Sequence, residues 1–127
     1  MILFDHLEVH VKNSLKYVNF LKSLFNGGRF KQISENQTYM FLSPDNIRIE
    51  VKQNNYYTEN FKIDNGIGFC LPCLRMNEAK NHLNSISEIV IKKEITNPDG
   101  VVIFFKDYEG IDWHIKDYAI LDIFVNI

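Results

Sequence analysis

The stretch that decides the fold is Asn97-Pro98-Asp99-Gly100, then Val102 to Phe105, then Asp107-Tyr108-Glu109-Gly110-Ile111-Asp112-Trp113-His114. Two turn signals, Pro98-Asp99-Gly100 and Tyr108-Glu109-Gly110, bracket a short apolar run, so the segment predicts strands at Val101 to Lys106 and Ile111 to Lys116. Working backward, Glu88 to Lys93 predicts a strand that feeds the first turn. Before it, Met76, Ala79, Leu83 and Ile86 share one face of a short helix at Asn77 to Ile86. A strand at Ile67 to Leu74 precedes that helix. The second half of the chain therefore has the order strand, helix, three strands.

The first half repeats it. Leu3 to Val11 predicts a strand in which Leu7, Val9 and Val11 face one way and His6, Glu8 and His10 the other. Asn13 and Ser14 offer helix N-caps, Leu15, Val18, Leu21 and Phe25 follow at helical spacing, and Asn26-Gly27-Gly28 ends the helix. Phe30 to Ser34, Thr38 to Leu42 and Ile47 to Val51 are three short strands parted by Glu35-Asn36-Gln37 and Ser43-Pro44-Asp45-Asn46. The polar, aromatic segment Gln53 to Asp64 is the expected linker, and Tyr56, Tyr57 and Phe61 within it are candidate pocket-rim or core-covering residues. The expectation is one α+β domain over 1–127, built from two βαβββ modules (about 1–56 and 65–127) that form a curved mixed sheet around a cavity.

With 127 residues the chain is long enough to bury a core. A net charge of −2 gives no electrostatic reason to expect nucleic acid or an anionic membrane as partner. No stretch approaches the roughly 20 apolar residues that span a bilayer. The start, Met1-Ile-Leu-Phe-Asp-His, lacks the character of a secretory leader. Two cysteines, Cys70 and Cys73, are too few for a disulfide scaffold, and a cytoplasmic location is the default expectation.

Taken together, these stretches resemble the vicinal oxygen chelate superfamily, which includes glyoxalase I, bleomycin-resistance proteins and extradiol dioxygenases. Asp5 to Val11 leading into Ser14 to Phe25 is similar to that family's opening strand and helix. Met76-Asn77-Glu78-Ala79-Lys80 is similar to the start of its second helix. The Asn97 to His114 segment is similar to its closing hairpin, with Tyr108 where the family usually has proline. A fold of this kind hosts many functions.

Strand parity marks the faces independently. His6, Glu8 and His10 lie opposite aliphatic residues, as do Arg48, Glu50 and Lys52 and then Asp112, His114 and Lys116. The aliphatic faces pack on helices, and the resemblance turns the polar faces toward the cavity. It also places His6, Glu50 and His114 on the metal-ligand positions of the first, fourth and eighth strands, a set suited to one divalent ion (Zn, Ni, Mn or Fe). Gly68 falls on the fifth-strand position and has no donor side chain; Cys70 would serve only with a slipped register. Fosfomycin-modifying relatives and dioxygenases use the first, fifth and eighth strands, whereas glyoxalases and epimerases use all four, so the set matches the latter in part. Without a metal, the same residues line a solvated or organic-ligand pocket.

The functional expectation is a metal-dependent lyase or isomerase acting on an oxygenated, anionic substrate. Glu8 or Glu50 is the general base if burial raises its pKa. Arg48 and Lys52, with His10 and Asp112, are candidate ligand-binding residues; Arg48 and Lys52 equally suit ion pairs with Glu8 or Glu50. The alternative is a metal-free antibiotic- or metabolite-sequestering protein of the bleomycin-resistance type. A remote alternative is thiol–disulfide chemistry at Cys70-Leu71-Pro72-Cys73, although the order of elements is wrong for a thioredoxin-like fold. His82 is expected on the solvated surface. By analogy with the family the chain forms a homodimer, with the apolar tail Ile120 to Val125 sealing the interface.

Overall fold

The computed structural model describes residues 1–54, 67–70, 76–97 and 100–116. The chain divides into two compact units, 1–60 and 61–127. The α+β class and the repeated βαβββ order are as expected. Each unit builds its own four-stranded mixed sheet.

In the first unit, strand β1 (Leu7–Val11) leads to helix α1 (Ser14–Leu24), then strands β2 (Arg29–Ser34), β3 (Thr38–Leu42) and β4 (Arg48–Gln53). The sheet order is β1-β4-β3-β2. β1 runs parallel to β4, and α1 carries the chain from β1 to β2 at the opposite edge of the sheet, from which β3 and β4 return it to the side of β1. Asn13 caps α1 by accepting the Lys16 N–H at 3.0 Å. The far end closes as a Schellman motif, with the Gly27 N–H on the Lys22 carbonyl at 2.8 Å and the Asn26 N–H on that of Ser23 at 3.3 Å. Asn26 takes a left-handed φ of 54°. Gly28 follows at φ 105°, where a Cβ would sit 2.7 Å from both the Leu42 carbonyl oxygen and the Phe41 ring, so only glycine fits. The core between α1 and the sheet holds Val9, Val11, Tyr17, Val18, Leu21, Phe41, Ile49 and Val51, all nearly or fully buried.

β1 begins at Leu7 rather than Leu3, because its ladder with β4 starts at the Leu7–Ile49 pair. Residues 1–4 are exposed. β4 runs two residues beyond the expected Val51, because Lys52 and Gln53 continue the pairing with His10 and Val11.

The second unit repeats the plan. Strand β5 (Ile67–Cys70) precedes helix α2 (Met76–Asn84), strand β6 (Ile89–Asn97), strand β7 (Gly100–Asp107) and strand β8 (Asp112–Lys116), in the sheet order β5-β8-β7-β6. β5 is parallel to β8. α2 stops before the expected Ile86, where Ser85 N–H reaches both the Asn81 and His82 carbonyls and Ile86 N–H tightens onto Leu83. Ile103, Phe105, Trp113 and Ile115 bury one sheet face, and Ala79 and Leu83 of α2 are buried as well. β6 continues to Asn97 because β7 pairs with it as far as Gly100. A β-bulge at Lys92 shifts the register between Ile91 and Lys93, which puts Lys93 opposite Phe104.

Within the turn Asp107-Tyr108-Glu109-Gly110, the buried Asp107 carboxylate organises the backbone with hydrogen bonds. Oδ1 accepts the N–H groups of Glu109 (2.8 Å) and Ile111 (3.1 Å), and Oδ2 accepts the Trp113 indole N–H at 2.9 Å. Gly110 takes φ 86°. The linker residues Tyr56, Tyr57 and Phe61, the Pro98-Asp99 turn, Cys73 and the tail Ile120 to Val125 lie outside the described residues.

Candidate functional site

The polar residues of β1 and β4 meet because the parallel ladder sets Glu8 opposite Glu50 and His10 opposite Lys52. Side chains two apart on a strand share a face, so His6, Glu8 and His10 line up beside Arg48, Glu50 and Lys52. His6 Nε2 lies 3.0 Å from Glu50 Oε2, and its Nδ1 donates to Asp5 Oδ2 at 2.7 Å. Glu50 is the least exposed carboxylate of the group, at 15%. Glu8 Oε2 accepts from His10 Nε2 at 2.8 Å, while its Oε1 takes the Lys52 ammonium at 3.0 Å. The same ammonium is 3.6 Å from Glu50 Oε1, and Arg48 Nη1 is 3.6 Å from Asp5 Oδ1. The sequence-level alternative of Arg48 and Lys52 in ion pairs is thus half right in detail. Lys52 pairs with Glu8 and Glu50, but Arg48 pairs with Asp5.

These contacts set the charges. The Asp5 hydrogen bond, aided by Glu50, raises the His6 pKa above the ordinary imidazole value. Asp5 in turn is held below the usual carboxylate range by His6. His10 and then Lys52 lower the Glu8 pKa, and Glu8 raises that of Lys52. A lowered pKa is the opposite of what the expected general-base role of Glu8 requires.

In the second unit His114 is the centre of a row that crosses all four strands: Gly68 on β5, His114 on β8, Phe104 on β7 and Lys93 on β6. The His114 ring packs against Phe104 with centroids 5.3 Å apart, and the Lys93 ammonium lies 4.8 Å above the same Phe104 ring. Burial, reinforced by Lys116, lowers the His114 pKa, so the ring is neutral at physiological pH and keeps a lone pair for a metal or a proton. Gly68 explains itself here. A Cβ at that position would collide with His114 Nε2 and lie 2.7 Å from its Cε1. The residue that cannot donate a ligand is the residue that lets this imidazole lie where it does. Asp112 pairs with Lys106 at 3.5 Å across the β7–β8 ladder. His82, on α2, is partly exposed. Cys70 sits on β5 in register with Lys116, and without Cys73 among the described residues the thiol pair carries no structural argument.

Sequence reasoning missed four contributors. Asp5 was visible only as a neighbour of His6. The Phe104 contact depends on the β7–β8 register, the Lys93 contact on the bulge at Lys92, and the Asp107 network on the shape of one turn. Substituting Gly68→Ala tests the first row directly. Because the clashing atoms end a side chain, the ring should swing aside at a stability cost of about 1–2 kcal/mol. The His114 ring resonances should shift on NMR while the far-UV spectrum stays unchanged.

The two imidazoles should also titrate on opposite sides of the ordinary value near 6.5. His6, with its raised pKa, contributes stability that is fully present below the unfolded value and is lost as pH rises through the folded one. For His114 the sign reverses: its folded pKa is lowered, so stability is lost as pH falls below the unfolded value. Following the Cε1 proton shifts of both rings against pH should show His6 titrating above His114.

The fold is of the glyoxalase type, as the resemblance implied. Among solved structures, the fosfomycin resistance protein FosX from Listeria monocytogenes is similar over 100% of both chains, with a TM-score of 0.79 and 19% identity. FosX from Mesorhizobium loti is similar over 98% of this chain and 99% of its own, at TM-score 0.74 and 16% identity. A hypothetical protein from S. aureus gives TM-score 0.69 and 14% identity over 91% of this chain and 94% of its own. A variant of the Listeria protein, with TM-score 0.77, 20% identity and 94% of each chain covered, was solved with Mn(II) and 1S,2S-dihydroxypropylphosphonic acid. No family model matches the chain, and no curated protein does. No helix among the described residues is long and apolar enough to cross a membrane.

Proposed function

We propose that this protein is a metal-dependent enzyme of the lyase or isomerase type, acting on a small, oxygenated, anionic substrate. The observation that carries the reading is the His6–Glu50 pair, whose two ligand atoms lie 3.0 Å apart, with Asp5 on the other ring nitrogen of His6. Donors on one divalent ion with bonds of about 2.1 Å sit about 3 Å apart when adjacent. A carboxylate behind a ligating imidazole is the usual outer partner that fixes its tautomer and orientation. The donor set therefore fits Mn, Fe, Ni or Zn. His114 is the further ligand that the family resemblance assigns, and its neutral ring suits the role.

When bound, such an ion supplies Lewis-acid polarisation of a substrate oxygen. The chain's own residues do the rest. Asp5 holds the Nδ1 proton and leaves Nε2 as the donor atom. Arg48 and Lys52 offer cations to an anionic substrate group, with His10 and Asp112 as further polar contacts. Because His10 and Lys52 hold Glu8 ionised and weakly basic, Glu50 is the better placed carboxylate to accept a substrate proton. The anionic substrate class agrees with the phosphonate bound by the Listeria FosX variant.

A second reading, a metal-free binding protein of the bleomycin-resistance type, is favoured by one observation. Every carboxylate on β1 and β4 already faces a cation: Glu8 and Glu50 face Lys52, and Glu50 also faces His6. One measurement separates the two. Protein loaded with Mn(II), Ni(II), Zn(II) or Fe(II), desalted and analysed for metal, should retain stoichiometric ion, and a His6→Ala, His114→Ala double variant should lose it. Unchanged metal content in that variant removes the metal reading. Fosfomycin is the first substrate to assay, with and without chelator. A homodimer remains part of the proposal, and light scattering that shows a monomer would contradict it.

A further inference from the structure

The ligand set borrowed from the resemblance is one short, since Gly68 has no side chain and the space for one is taken by His114. Among the described residues, one group of His, Cys, Asp and Glu brings three ligand atoms within 4.8 Å of one another: His6, Glu8 and Glu50. Two of these come from the same strand end, two residues apart and on one face. Glu8 is also the residue directly opposite Glu50 in the ladder. The two carboxylates are held together by Lys52, 3.0 Å from Glu8 Oε1 and 3.6 Å from Glu50 Oε1, with His10 bracing the other Glu8 oxygen at 2.8 Å. Two carboxylates converging on one ammonium form a position built for positive charge.

We infer that Glu8 is a metal ligand, the donor that replaces the missing fifth-strand residue, and that Lys52 is the built-in cation which the metal displaces between Glu8 and Glu50. The inference rests on the reading of His6 and Glu50 as metal ligands. The Glu8 side chain is 40% exposed and its ligand atom lies within 4.8 Å of those of His6 and Glu50, so an ion among them would leave His10 as the outer partner that orients it. Lys52, released, is free to turn toward the anionic group of a substrate held at the same ion.

The two roles predict opposite effects. Calorimetric titration of the full chain with Mn(II) and with Zn(II) should show Glu8→Gln weakening affinity by at least the roughly 10–100-fold that follows loss of an outer-shell partner. Lys52→Met should tighten it roughly tenfold at low salt, and less as ionic strength rises. A gain of affinity cannot come from misfolding, so the second variant keeps the first interpretable. Lys106→Met, which changes net charge equally in the other unit, should leave affinity unchanged. If wild-type protein binds metal and both Glu8→Gln and Lys52→Met bind it as tightly, this inference is overturned and the His6–Glu50 reading stands. If wild-type protein binds neither ion, both fall together.

Discussion

Replacing Asp107 by alanine should lower the stability of the protein by about 3–4 kcal/mol, among the largest effects of any single substitution in the second unit. The variant loses three hydrogen bonds at once: those from the Glu109 and Ile111 N–H groups to Oδ1, and that from the indole N–H of Trp113, which is 1% exposed, to Oδ2. A buried donor left without a partner costs about 1–3 kcal/mol by itself, because its desolvation is no longer offset. The turn loses its organising side chain as well, and Gly110 has no preference of its own for the left-handed conformation it holds there. Asp107→Asn makes the complementary test. Its amide keeps one oxygen for the two backbone donors, but turns an NH2 toward the indole, so the cost should fall to about 1–2 kcal/mol. Urea unfolding followed by tryptophan fluorescence reads the site directly, because Trp113 is the only tryptophan in the chain. Equal midpoints for Asp107→Ala and wild type would show that the carboxylate does not organise the turn.

The second large effect concerns metal. His6→Ala should reduce divalent-metal affinity by more than about a hundredfold, and Asp5→Ala by roughly 10–100-fold with His6 intact. The order matters more than the sizes. A ligand removed takes its bond with it, whereas an outer partner removed takes only the tautomer preference and the orientation. Wild-type affinity should climb as pH rises through the raised His6 pKa, since the proton on Nε2 competes with the metal, and level off above it. In Asp5→Ala that rise should move to lower pH, because Asp5 is the main cause of the raised value. An affinity that is flat across this range, or an Asp5→Ala profile identical to wild type, would separate His6 from the metal.

The alternation of polar and apolar residues was enough to assign faces, because a half-buried strand exposes every second side chain to a different solvent. Ile49 and Val51 are fully buried while Arg48, Glu50 and Lys52 are not, as parity required. The repeated βαβββ order was legible for a similar reason: glycine, proline and asparagine punctuate the chain where its backbone must turn. What could not be read were relations set by register. Nothing in the local pattern says that Glu8 stands opposite Glu50, that Arg48 reaches Asp5, or that a single extra residue at Lys92 carries Lys93 to Phe104. Strand ends failed for the same cause. β1 starts at Leu7 because its partner does, and a partner is a long-range fact. The site was legible as a set of residue types and illegible as a circuit of charges.

The close approach of the His114 ring to Gly68 also constrains how such a chain can change by mutation. An imidazole or carboxylate acquired at position 68 must first push the His114 ring aside, because that ring occupies the volume its first carbon would need. Nor is exchange of His114 for a smaller residue neutral, since it uncovers Phe104 and leaves a hollow over the β5 backbone. The two positions are epistatic: each substitution is harmful alone, and a paired replacement, small at 114 and larger at 68, is the path that keeps the sheet filled. A lineage with glycine here is thereby committed to drawing its chemistry from the other strands.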